Sequence, residues 1–147
     1  MTEKTEKFME TKIDENDLDT ELSEQASRFL FAAQKHAQAQ ARHDALKLER
    51  DIIVAKIAEE LRFAAEKDKR KISEAFIDKQ VNLDERYQNI RSQIIKSRVQ
   101  RDYMRATERA MFQRKDMLIQ MAISRRGELE TMVSDSVKGA SEEYCIA

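Results

Sequence analysis

Five arginines, Arg91, Arg98, Arg101, Arg105 and Arg109, follow one another at spacings of seven, three, four and four. At about 100° per residue on an α-helix they share an arc of roughly 80°. A guanidinium presents a planar fan of donors, keeps its charge at physiological pH and suits phosphate oxygens. Successive helical turns lie about 5–6 Å apart, comparable with phosphates along a single strand. The ridge therefore suggests an anionic polymer as ligand. The alternative is a solvated face, or ion pairs with Glu49, Glu59, Glu60 and Glu66 of an earlier helix. From Arg86 to Arg126 eleven basic side chains stand against three acidic ones, whereas a merely solvated face mixes the two signs.

A second basic group, Lys67, Lys69, Arg70 and Lys71 in KDKRK, falls at the presumed end of the first long helix. It reads either as a complement to the helix dipole or as a phosphate-contacting tip. Other reactive types point nowhere in particular. His36 and His43 share a helix face, yet no carboxylate or cysteine pattern completes a metal set. Cys145 has no base beside it in sequence, and the glycines needed for a phosphate-cradling loop are missing. No catalytic residue, cofactor or metal ligand is expected, and the chain does not read as an enzyme.

The elements that must carry these groups are helices. The 147 residues amount to one domain or less, with 37% charged side chains, 6% aromatics, two glycines and no proline. Such a composition belongs to long helices or coiled coil. The net charge of −1 conceals a segregation. Residues 1–24 hold three Lys against nine acids, and residues 127–147 one Lys against five, so acidic ends flank the basic middle. No run approaches the ~20 apolar residues of a membrane span. MTEKTEKFMETK has no apolar signal core, and a single cysteine fits a reducing, cytoplasmic setting.

The pattern predicts an acidic mobile arm over residues 1–19, a helical domain over 20–133 and an acidic tail over 134–147. The fold class is all-α: two long helices with a short helix or turn between them, coiled-coil-like and assembling into a homo-oligomer. The first helix runs from about Thr20, capped by Asp19 or Thr20, to Lys69. Its apolar stripe is Leu30, Ala33, Ala37, Ala41, Ala45, Leu48, Ile52, Ala55 and Ala58, with a neighbouring stripe of Leu46, Ile53, Ile57, Leu61 and Ala65. So thin an alanine-rich seam implies neighbours on more than one side.

Ile72, Ala75, Phe76 and Lys79 suggest a short helix, and Asn82 with Glu85 a cap for the second long helix, from Asn82 to about Met132. That helix sets Ile95, Val99, Tyr103, Ala106, Ala110, Met117 and Met121 opposite the arginine ridge. A reversal before it makes a helical hairpin. A continuous rod is the alternative, since neither glycine nor proline marks a turn. Met104, Met111, Met117, Leu118 and Met121 are expected to fill the core or a seam between copies.

The layout resembles the UvsY-type recombination mediators of phages in its size, acidic lead-in, two long helices and basic junction. DYMRATERAMFQRKDMLIQMAISRRGELE looks like the closing segment of such proteins. The resemblance spans roughly Thr20 to Met132 and implies a non-catalytic, ring-forming single-stranded DNA binder. Such a protein loads a recombinase onto strands coated by single-strand binding protein, in the host cytoplasm. The family's DNA-contacting positions would fall at Arg62, Lys67, Lys69, Arg70 and Lys71. The aromatic, glycine-containing turn of the family is absent here, and Phe63, Phe76 and Tyr87 offer little base stacking, so phosphate contacts should dominate. Two other readings stand beside this one: a helical scaffold or assembly chaperone of a virion, and an adaptor whose acidic arm regulates a partner.

Overall fold

The computed structural model describes residues 10–143, with side-chain surroundings for residues 10–134. Those residues form three helices, α1 (Leu18–Lys67), α2 (Glu74–Leu83) and α3 (Glu85–Glu143), and no strand. The expected all-α class is therefore seen, with two long helices and a short one between. Residues 1–9 of the acidic lead-in, and the side chains of the C-terminal stretch from residue 135, lie outside what is described.

The helix ends differ from expectation for local reasons. α1 begins at Leu18, ahead of Thr20, because the Asp17 carboxylate accepts from the Thr20 amide at 3.3 Å. It stops at Lys67 without glycine. The Arg70 amide bonds the Ala65 carbonyl at 2.9 Å and the Lys69 amide bonds Glu66 at 3.0 Å, with Lys69 left-handed at φ 51°. This is the Schellman arrangement, in which two successive amides satisfy two orphan carbonyls and the left-handed residue is usually glycine. Ser73 caps α2, accepting from the Phe76 amide at 3.3 Å.

The cap of α3 is Asp84 rather than Asn82. Its carboxylate accepts from the Arg86 amide at 2.8 Å, while the Asn82 side chain bonds back to the Asp78 carbonyl. α3 then continues past Met132 to Glu143. Residues 133–143 include only four strong helix formers in eleven, and Gly139 among the rest, but they contain no proline to stop the helix.

The chain divides into two units: Met1–Ala32 with Thr107–Ala147, and Ala33–Ala106. In the second, α1 and α3 run antiparallel, since Glu60 meets Arg86 and His43 meets Ser97. The chain therefore reverses here instead of continuing as a rod. α2 lays Ile77 and Val81 on Ile57 and Ala58 of α1, with Ile53, Val54, Leu61, Ile72 and Tyr87 around them. This small core uses the Leu46–Ala65 stripe of α1.

Of the other stripe of α1, Ala58 joins this core, whereas its large side chains face away. Leu30 is 58% exposed, Leu48 64% and Ile52 48%. At 100° per residue, Leu48 and Ile52 point about 150° away from the mean direction of the seam positions His43, Leu46, Ile53 and Ile57. The same holds on α3. Ser97 and Ile90 are buried in the seam, whereas Ile95, Val99 and Tyr103 are exposed on the opposite side. Each long helix of this unit thus carries an apolar face directed away from its partner.

The first unit pairs the start of α1 with the later part of α3, again antiparallel. Here the seam is polar. Arg114 is buried to 1% exposure between Met111 and Leu118, and Glu21, Gln25 and Arg28 are buried opposite. Arg114 donates to the Glu21 carboxylate, the Gln25 side chain and the Lys12 carbonyl, and Gln25 in turn donates to the Met111 carbonyl at 2.7 Å. Arg28 bridges Glu21 at 3.3 Å and Glu24 at 2.9 Å. The buried Glu21 carboxylate serves both buried guanidinium groups, and the half-buried Glu24, with 40% of its side chain exposed, supplies the second negative charge. Beside this network Phe29 and Phe112 form a tilted ring pair 6.4 Å apart, with the Lys115 ammonium 4.3 Å above Phe112.

Candidate nucleic-acid interface

The arginine ridge is placed by α3. In the second unit Arg91, Arg98 and Arg105 are exposed, and Arg98 has 71% of its side chain in solvent. Arg101 turns toward the seam, with 22% of its side chain exposed, and binds Asp102 through Nε at 2.9 Å. Asp102 also lies 3.9 Å from Arg98, and the Arg101 bond first, then the charges of Arg101, Arg98 and Arg105, hold its carboxyl below the ordinary aspartate range. Arg91 and Arg105 have no ion pair among the described residues. Arg109 belongs to the first unit and is likewise exposed.

The earlier helix does not neutralise the ridge. Of Glu49, Glu59, Glu60 and Glu66, only Glu60 meets an arginine of α3 among the described residues, and that arginine is Arg86, at 2.7 Å. Arg86 also binds Asp84, so it is committed to tying the start of α3 to α1.

At the junction, Lys67, Lys69, Arg70 and Lys71 are all exposed, and Arg70 lies 3.6 Å from Asp68. Arg62 is held by both carboxylate oxygens of Glu74, at 3.0 and 2.9 Å. It therefore links α1 to α2 more directly than it offers a free donor. Among the expected seam residues, Met111 and Leu118 are buried and Met104 and Met121 half-buried, whereas Met117 is 59% exposed.

A groove of about 380 Å³ lies between α1 and α3 in the second unit. Ala39, Arg42 and Leu46 line one wall, and Gln93, Lys96, Ser97 and Gln100 the other. Next to it is a buried pair, in which His43 meets a partner, Ser97, that the sequence did not single out. His43 is 3% exposed, and its Nδ1 lies 2.9 Å from Ser97 Oγ. Because the Ser97 hydroxyl donates to the Ile94 carbonyl at 2.8 Å, its oxygen accepts from the His43 Nδ1–H. Burial first, then the positive charges of Lys47 and Arg101, hold the imidazole below its ordinary pKa. With its hydroxyl proton committed to the backbone, Ser97 is a structural partner of His43 and not an activated nucleophile.

The buried Arg114 was also missed as a seam residue. The available signal was its place three residues after Met111 and four before Leu118, which puts an arginine in the middle of an apolar stripe. Among the described residues no group of three or more His, Cys, Asp or Glu side chains could hold a metal ion, and no helix is long and apolar enough to cross a membrane. Against family models, curated proteins and solved structures, the chain has no match.

Proposed function

We propose that the chain is a non-catalytic, single-stranded DNA-binding protein that acts as a homo-oligomer, in the manner of a recombination mediator. The observation that carries the reading is the exposure of Arg91, Arg98 and Arg105 on α3 without a glutamate partner from α1. The exposed Lys67, Lys69, Arg70 and Lys71 at the junction add a second basic surface. Binding of this kind runs through phosphate and ignores sequence, so log affinity falls steeply as log salt rises. The apolar outer faces of α1 and α3 supply the surface for joining copies. A ring would add many weak phosphate contacts into useful avidity. Loading of a recombinase onto strands coated by single-strand binding protein rests on the UvsY-type resemblance alone.

The test is a salt titration of a labelled oligonucleotide beside a native mass determination. Affinity that does not change between low and moderate salt, or a chain that remains single, removes the reading. A helical scaffold or assembly chaperone without nucleic-acid binding is the second reading, favoured by those same apolar faces. It predicts oligomers and no retention of DNA in a gel.

A further inference from the structure

Several cations of the second unit have an acidic neighbour, and several, Arg91 and Arg105 among them, have no ion pair among the described residues. Lys47 has Asp44, Arg50 has Asp51, Arg62 has Glu74, Arg86 has Glu60 and Asp84, and Arg101 has Asp102. Arg42 and Lys96 have none among the described residues, yet they flank one groove from opposite helices. On α1, Ala39, Arg42 and Leu46 share a face at steps of three and four, and on α3 Gln93, Lys96 and Gln100 do the same. The hollow exists because Ala39 puts a methyl group where a longer side chain would fill the space between the helices. No carboxylate lines it. Two side-chain amides and two cations give it donors from both walls, while Leu46 provides an apolar side.

Two unneutralised cations facing across a donor-lined slot favour an anion between them. Arginine suits a phosphate by its fork and lysine by its point charge. We propose that this groove seats a phosphodiester of a bound single strand, at a place separate from the arginine ridge. Lys96 projects about 170° around α3 from the centre of the ridge, so the two are different surfaces of one helix. The inference rests on the single-strand-binding reading and adds to it a defined phosphate slot.

The full-length protein is titrated with a fluorescent oligothymidylate by anisotropy over a series of salt concentrations. Four variants are compared with wild type: Arg42→Gln with Lys96→Gln; Arg42→Lys with Lys96→Arg; Ala39→Leu; and Arg91→Gln with Arg105→Gln. All are conservative helix formers at positions outside the buried core, and circular dichroism and native mass are recorded for each. The glutamine pair in the groove is expected to weaken binding and lower the salt slope by about 0.7 for each phosphate that is no longer neutralised. Ala39→Leu, which fills the slot and leaves every charge in place, is expected to weaken binding several-fold, and the charge-conserving pair to retain most of it. If Ala39→Leu and the charge-conserving pair both bind as wild type, the slot is overturned, whatever the glutamine pair does, because general positive charge then suffices. If only the ridge variant loses affinity, the slot falls and the single-strand reading stands. Wild type without salt-sensitive binding overturns both.

Discussion

Arg114 of α3, fully enclosed in its unit, gives its guanidinium to the Glu21 carboxylate of α1 across the helix pair. Glu21 also accepts from the Asp14 amide at 3.1 Å and bridges Arg28, so one carboxylate gathers the lead-in, both guanidinium groups and the start of α1. Glu21→Gln leaves Arg114 buried with its charge uncompensated. A loss of about 3–5 kcal/mol in the stability of this unit is expected, read as weaker amide-exchange protection around residues 20–28 and 107–118. Replacing Glu21 and Arg114 together by leucine and methionine should be much milder, since no lone charge remains.

The same carboxylate makes that unit sensitive to acid. Burial alone would raise the Glu21 pKa, but the Arg114 bond, the Asp14 amide and the charges of Arg114 and Arg28 outweigh it and lower the value from 4.5. A carboxyl depressed in the folded state contributes stability that is present above the unfolded value. It is lost as pH falls below about 4.5 and through the lower folded value. Thermal melts from pH 6 downward should lose this pH-dependent component in Glu21→Gln.

His43 gives the second unit an acid sensitivity at higher pH. Burial, Lys47 and Arg101 depress its pKa below 6.5, with Asp44 and Asp102 opposing. The neutral ring is therefore the folded form. Its contribution is complete above 6.5 and declines as pH falls through the folded value. An NMR titration of the imidazole should give a midpoint below 6.5, and the half-buried His36 on the same helix gives a second imidazole signal to set beside it. His43→Leu should flatten the stability profile between pH 7 and 5.

The two basic surfaces can be ranked by charge reversal. Arg98→Glu with Arg105→Glu acts on the ridge, and Lys69→Glu with Arg70→Glu on the tip. Each should weaken oligonucleotide binding and reduce its salt dependence, and the surface that neutralises more phosphates should show the larger fall in slope. No change in either would leave the arginine ridge and the basic junction without a nucleic-acid role.

Assembly is tested on the outward faces. Leu48→Gln with Ile52→Gln on α1, or Ile95→Gln with Val99→Gln on α3, removes apolar side chains that the hairpin leaves uncovered. The expected result is a lower native mass with helical content preserved. Exposed apolar stripes of this extent are where association is anticipated.

The helices, the short α2 and the junction were legible from period and composition, because an amphipathic pattern fixes helical residues whatever they pack on. Which stripe would become the seam was not. α1 carries two apolar stripes of similar weight, and the hairpin buries the one with Ile53, Ile57 and Leu61, where α2 can add Ile77 and Val81. The large side chains of the alanine-rich stripe, Leu48 and Ile52 among them, are left outside. Counting apolar residues also hides Glu21, Gln25, His43, Ser97 and Arg114, whose polar partners lie some 50 to 90 positions away, and Arg28, buried beside Glu21. The cap at Asp84 was overlooked for a simpler reason: Asn82 has Glu85 three residues on and completes a capping box, whereas Asp84 has Tyr87 there.

The left-handed Lys69 carries a last implication for the bend between α1 and α2. An L-residue in that conformation meets a steric penalty of about 1–2 kcal/mol that glycine escapes. Lys69→Gly should therefore tighten the corner while stripping one ammonium from its apex. Firmness of the elbow and strength of its positive field are thus set against each other at a single position.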